Sequence, residues 1–285
     1  MGTMTLPLVV GVDGSDSSLV AVDWAVDEAA RHGLPLKLLY GSLWERYEGG
    51  LPSLGGERPS EQVLAEHIVG SAAERAERRD PDVKVTTGIV PREGADALVR
   101  AGDEASAVVT GARGRGPFTS MLLGSVGLAV AARASCPVIV VRGDRAGLAG
   151  EHERILLGLG EADTGTRALE FAYREAETRG CGLDVVRAWR RPVHDRSGAG
   201  YEERAAALLA ASVERPSAAF PRVRTYPAVA EGPAAKVLVD RSAAADLVIV
   251  GARHRTDRFG LQLGRVGHAL LHHAACPVAV VPERS

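Results

Sequence analysis

The chain contains its own copy. Set against residue 155, residue 8 opens a gapless match, "LVVGVDGSDSSLVAVDWAVDEAARHGLPLKLLYGS" over "ILLGLGEADTGTRALEFAYREAETRGCGLDVVRAW", at a constant offset of 147 residues. The offset later becomes 140, where residues 111–142 match 251–282 with 15 identities in 32 positions, ending in "CPVIVV" over "CPVAVV". A period this long exceeds that of solenoid and propeller repeats, so the copied unit is a whole domain. A chain of 285 residues has room for two, each burying its own core. The expected domains are 1–145 and 151–285, meeting near the glycine- and charge-rich "GDRAGLAGEH" at 143–152.

Each copy cycles between short apolar runs and amphipathic stretches. In the first copy the strands are expected at about 7–12, 36–42, 83–90, 106–110 and 137–141, and the helices at about 16–32, 60–79, 93–102 and 124–134. Gly33 and Gly102 suit left-handed helix ends, and Ser15 or Asp16 suits an N-cap. Strands that are apolar throughout and alternate with helices imply a parallel sheet covered on both faces, with right-handed crossovers. The expected class is α/β, doubly wound, in each half. Residues 43–59, "LWERYEGGLPSLGGERP", read as a long covering loop.

Composition removes several function classes. Thirty-four basic residues against 36 acidic ones give a net charge of -2, with no electrostatic footprint for nucleic acid or an anionic membrane. Cys136, Cys181 and Cys276 form neither a disulfide framework nor a Cys-x-x-Cys pair, which points to a reducing compartment. The first 15 residues lack a basic start and a cleavage signal, and no apolar run reaches 18 residues. A cytoplasmic protein is expected.

In an open parallel sheet, ligands sit at the carboxyl ends of the strands where the winding reverses. "VGVDGSDSS" puts Asp13 at the first strand's tip beside Gly14 and Ser15. "TGARGRGPFTSMLLGS" leaves the fourth strand at Gly111, passes Gly114 and opens a helix at Gly124 and Ser125. Glycines let backbone amides approach an anion, and a helix N-terminus offers free N–H groups and a favourable dipole to phosphate. The Ser125 hydroxyl adds a donor. Asp13 repels phosphate, so a ribose or a bound cation is its natural partner. Gly41, at the second strand's tip, leaves room for a flat base. Together these describe a nucleotide lying across two strand ends. No G-x-x-x-x-G-K-[ST] occurs, and "GRGPFT" breaks G-x-G-x-x-G at its last position, so P-loop and Rossmann readings fail.

The combination Gly111-x2-Gly114-x9-Gly124-Ser125, with "VGVDGS" before it and "CPVIVV" after it, resembles the universal stress protein family in its ATP-binding form. The resemblance covers nearly the whole chain as a tandem pair. It implies, in each half, a five-stranded parallel sheet of order 3-2-1-4-5 flanked by helices, of the adenine nucleotide alpha hydrolase type. It also implies roles: Asp13, with Gly14 and Ser15, at the ribose or the Mg-phosphate region; Gly41 in backbone contact with adenine; and Gly111, Gly114, Gly124 and Ser125 on the phosphates of ATP, ADP or AMP. Members commonly pair through the last strand, so "PVIVV" and "PVAVV" are expected to meet within this chain, and a homodimer of chains is a further expectation. The function implied is a nucleotide-binding regulator of the stress response. A slow ATPase or other adenine-nucleotide enzyme of the same fold, and a nucleotide-free interaction scaffold, remain alternatives. No side chain stands out as a general base or nucleophile.

The second copy departs from this pattern. Asp13 becomes Gly160, Gly14 becomes Glu161, Gly114 becomes His254 and Ser125 becomes Arg265, while Gly251 and Gly264 persist. An imidazole fills space that a phosphate needs and Glu161 repels it, whereas Arg265 is a phosphate-competent cation. An empty second site is expected, with altered anion or nucleotide binding as the alternative.

Other features have plain structural readings. Cys136 and Cys276 precede Pro137 and Pro277 and read as small buried hydrophobes. His268 and His272, with His273 beside them, make half a metal site, and Cys276 starts a strand. "AERAERRD" at 73–80 reads as a solvated helix end, and Trp24, aligned with Phe171, as core.

Overall fold

A computed structural model describes residues 5–42, 60–112, 124–160, 166–191, 200–253 and 263–283. The chain divides into two compact units, Met1–Val141 and Arg142–Ser285. The first holds β1 (Leu8–Gly11), α1 (Asp16–His32), β2 (Leu36–Gly41), α2 (Ser60–Arg79), β3 (Val85–Val90), α3 (Gly94–Ala101), β4 (Ala107–Gly111), α4 (Ser125–Arg133) and β5 (Val138–Val141). The second holds α5 (Arg145–Ala149), β6 (Arg154–Gly158), α6 (Thr166–Arg179), β7 (Gly182–Trp189), α7 (Tyr201–Ala219), β8 (Thr225–Glu231), α8 (Ala234–Arg241), β9 (Leu247–Arg253), α9 (Arg265–His273) and β10 (Val278–Glu283).

Strand order in the first unit is β3-β2-β1-β4-β5, every neighbouring pair parallel. The second unit repeats it as β8-β7-β6-β9-β10, again parallel. The expected doubly wound α/β fold is present in both. Helices on both faces bury the central strands completely: Leu8, Val9 and Val10 of β1 and Ile155, Leu156 and Leu157 of β6 all lie in the core. The boundary stretch is no loose linker. Asp144 donates its amide to the Ala275 carbonyl at 2.9 Å and caps α5 by accepting from the Gly147 amide, while the Arg142 guanidinium holds the Leu271 and Ala274 carbonyls.

Local signals explain the boundaries. Ser15 is the N-cap of α1, its hydroxyl accepting from the Ser18 amide. Gly33 ends that helix in the left-handed region at φ 62°. Gly102 is different: its φ is -62°, and it leads into a 3-10 turn at 102–104. Glycine stands there for space, since a Cβ would lie 3.1 Å from the Cys136 sulfur.

The two units fasten their outer helices differently. Arg75 forks onto Asp23 with two 2.6 Å bonds, and one turn later Arg79 forks onto Asp27 at 2.6 and 2.7 Å, zipping α2 to α1. The run at 73–80 therefore carries two cross-helix ion pairs rather than solvated charge alone. In the second unit the equivalent positions, Glu170 and Arg174, pair with each other along α6. There the fully buried Tyr173 links the helices instead, its hydroxyl 2.7 Å from that of Ser217 on α7 and accepting from Thr225 on β8 at 3.0 Å.

Candidate functional site

The order β2-β1-β4 makes the winding reverse between β1 and β4, which opens a crevice at their carboxyl ends. Asp13, two residues beyond β1, enters a tight turn in which Gly14 takes φ 75°. Its Oδ1 accepts from the Ser15 amide at 2.9 Å and from the Ser15 hydroxyl at 2.6 Å. Oδ2 has no hydrogen-bond partner among the described residues, so the turn uses one carboxylate oxygen. The buried Ser18, not singled out in the sequence, locks the turn: its hydroxyl donates to the Ser15 carbonyl at 2.9 Å and lies 3.4 Å from the Asp13 amide.

Gly111 ends β4 against this turn. A Cβ there would sit 2.5 Å from the Ser17 carbonyl oxygen and 2.6 Å from its hydroxyl, so only glycine lets the fourth strand's tip meet the start of α1. From Ala112 the chain returns at Gly124, whose amide donates to the Ala112 carbonyl at 2.8 Å. Gly114 lies outside the described residues. Gly124 is the N-cap of α4 and, having no side chain, leaves the helix without a side-chain cap, while Ser125 is exposed on the first turn. Uncapped amides are the donors that an anion can take. The structure thus brings Asp13, Gly14, Ser15, Gly111, Gly124 and Ser125 to one end of the β1–β4 pair.

Gly41 has a packing reason that the sequence did not reveal. A Cβ there would lie 2.7 Å from the Gly94 Cα and 2.8 Å from the Arg92 carbonyl oxygen. The backbone before α3 fills the space on that side, so the missing side chain leaves no room there for a base. Gly94 in turn faces Val126 of α4, at 4.0 Å from its ideal Cβ. The turn at 92–94 therefore bridges β2 and the first turn of α4.

In the second unit, Gly264 again caps a helix, α9, without a side-chain bond, and Arg265 is exposed on its first turn. Gly251 lies within β9. Gly160, in the place of Asp13, brings no carboxylate, and His254 and Glu161 lie outside the described residues. The His268 and His272 ring centroids lie 4.4 Å apart with the rings tilted by 33°, and burial, with His268, His273 and Arg142 nearby, lowers the His272 pKa. The three cysteines are free, and burial pushes the Cys136 and Cys276 thiols up to about 11 and about 12. Both therefore act as small core groups. No helix of the described residues is long and apolar enough to cross a membrane.

Comparisons with known proteins agree with this fold. The Universal stress protein family profile matches residues 4–142 and again 151–282. The chain is 32% identical over 289 residues to "Universal stress protein Rv2005c" of Mycobacterium tuberculosis, covering 97% of each. It is 29% identical to "Universal stress protein Rv2623" of the same organism, covering 99% of this chain and 98% of the relative. The crystal structure of a universal stress protein from Archaeoglobus fulgidus shares the fold at a TM-score of 0.69 and 18% identity, covering 98% of this chain and 99% of that one.

Proposed function

The chain belongs to the universal stress protein family, and from that premise we propose that its N-terminal domain binds one adenine nucleotide, ATP with magnesium, at the β1–β4 switch point. The observation that carries the proposal is the meeting of two unlike devices at one strand end: a carboxylate with one oxygen unbonded among the described residues, and a helix N-terminus with no side-chain cap. The first suits a ribose hydroxyl or a magnesium ion, which keeps several waters and takes one or two carboxylates together with phosphate oxygens. The second suits the phosphates. Asp13 would hold the magnesium and ribose end, and Gly111, Gly124 and Ser125, with Gly114, the phosphate end. Magnesium would supply charge neutralisation between Asp13 and the phosphates. Adenine contact through the Gly41 backbone belongs to the same proposal, on a face other than the one the 92–94 turn fills.

The role is regulatory, with nucleotide occupancy as the state that is read, in a cytoplasmic setting suited to three free thiols. The second domain lacks the Asp13 carboxylate, so one nucleotide per chain is expected. The test is the identity and amount of nucleotide released when the purified chain is denatured. One adenine nucleotide per chain, lost in Asp13→Ala, supports the reading. Two per chain, or full occupancy in that variant, overturns it.

A further inference from the structure

The two copies differ at the end of the last strand. At the offset of 140, the end of β5 at Val141 corresponds to Val281, yet β10 continues to Glu283. The longer strand reaches the start of the described part of α6. Glu283, only 7% exposed, accepts from the Ala168 amide at 2.9 Å through Oε1 and from the Arg167 amide at 3.1 Å through Oε2. These are the third and second residues of α6.

Gly251 provides the clearance. A Cβ there would lie 3.2 Å from the Glu283 Oε1. In the first domain an ideal Cβ at Gly111 would meet Ser17, in the first turn of α1, instead. The counterpart of Glu283 in the first copy is Gly143, which has no carboxylate to offer.

We propose that Glu283 is a built-in plug, an intramolecular carboxylate that takes the first amides of α6 beside Gly251, the counterpart of Gly111, and keeps phosphate groups out of that end of the C-terminal strand tips. The helix amides that favour an external anion already hold one, and a second negative charge beside a buried carboxylate is repelled. The second domain is closed by an added group as well as altered by the loss of Asp13.

The test uses the full chain carrying Glu283→Ala and compares thermal unfolding in chloride, acetate and inorganic phosphate at equal ionic strength. The variant is expected to melt below the wild type in chloride and to recover at least half of that loss in acetate or phosphate, anions that refill the vacated position. The wild type is expected to show a smaller anion response, that of its N-terminal site alone. Equal anion responses in the two proteins overturn the plug. If Glu283→Ala does not fold, Glu283→Gln keeps the volume without the charge. Inorganic phosphate is then expected to shift the Arg167 and Ala168 amide resonances in the variant and not in the wild type, and the absence of a difference overturns the proposal. Neither measurement involves nucleotide, so failure here is distinct from failure of the one-nucleotide count.

Discussion

The ideal Cβ of Gly111 would lie 2.5 Å from the Ser17 carbonyl oxygen, inside the distance any side-chain carbon tolerates. The contact is with backbone, which cannot swing aside, so Gly111→Ala must push β4 and α1 apart. We expect a loss of about 1–3 kcal/mol in urea unfolding, with weakened nucleotide binding. At Gly251 the nearest neighbour is a side chain, Glu283, at 3.2 Å, so Gly251→Ala is expected to cost less. Equal losses at the two positions would show that neither approach is as tight as the geometry states.

Asp13 has two tasks that substitutions can separate. Asn keeps the acceptor that holds the Ser15 amide and loses the charge; Ala loses both. Asp13→Asn is therefore expected to keep its stability while nucleotide affinity in magnesium falls about tenfold, or about 1.4 kcal/mol, in calorimetric titration. Asp13→Ala should lose affinity and about 1 kcal/mol of stability as well. An Asn variant that binds as tightly as the wild type in magnesium would remove the metal from the site.

The buried thiols make stability fall at alkaline pH. Their folded pKa values are raised by burial, so the folded chain holds its protons where the unfolded chain, near 9, releases them. The contribution is intact below about pH 9 and is lost as pH climbs towards about 11 for Cys136 and about 12 for Cys276. Each thiol adds a slope of up to about 1.4 kcal/mol per pH unit. The slope, measured by urea unfolding from pH 8 to 10.5, should shrink in Cys136→Ala and Cys276→Ala whatever those variants cost in packing. An unchanged slope would place the thiols within reach of water.

Signals within one element or between neighbours in the repeat were readable in the sequence. The strand and helix positions, the Ser15 cap and the Gly33 terminus all follow from patterns a few residues long. Asp13, Gly111 and Gly124 were legible as a site because the winding order places the tips of β1 and β4 side by side. What escaped depends on contacts between distant segments. Gly102 and Gly41 are glycines because Cys136 and the 92–94 backbone press on them, not because of their own dihedral angles. Glu283 meets α6 across 115 residues, and its only trace in the sequence is an apolar last strand that continues into "PE". The forks of Arg75 and Arg79 leave a trace too, in Asp23 and Asp27 at the same four-residue spacing.

That spacing has a consequence for how each half responds to ionic strength. The α1–α2 clasp is made of half-exposed charges, which dissolved ions screen. The α6–α7 link runs through a neutral hydroxyl on a buried ring, which ions scarcely touch. Raising salt from about 0.01 M to about 1 M shortens the Debye length from about 30 Å to about 3 Å, so amide exchange in α2 should quicken while that in α7 holds steady. Duplication supplied one architecture twice, and the two halves have since become differently tuned gauges of the same solvent.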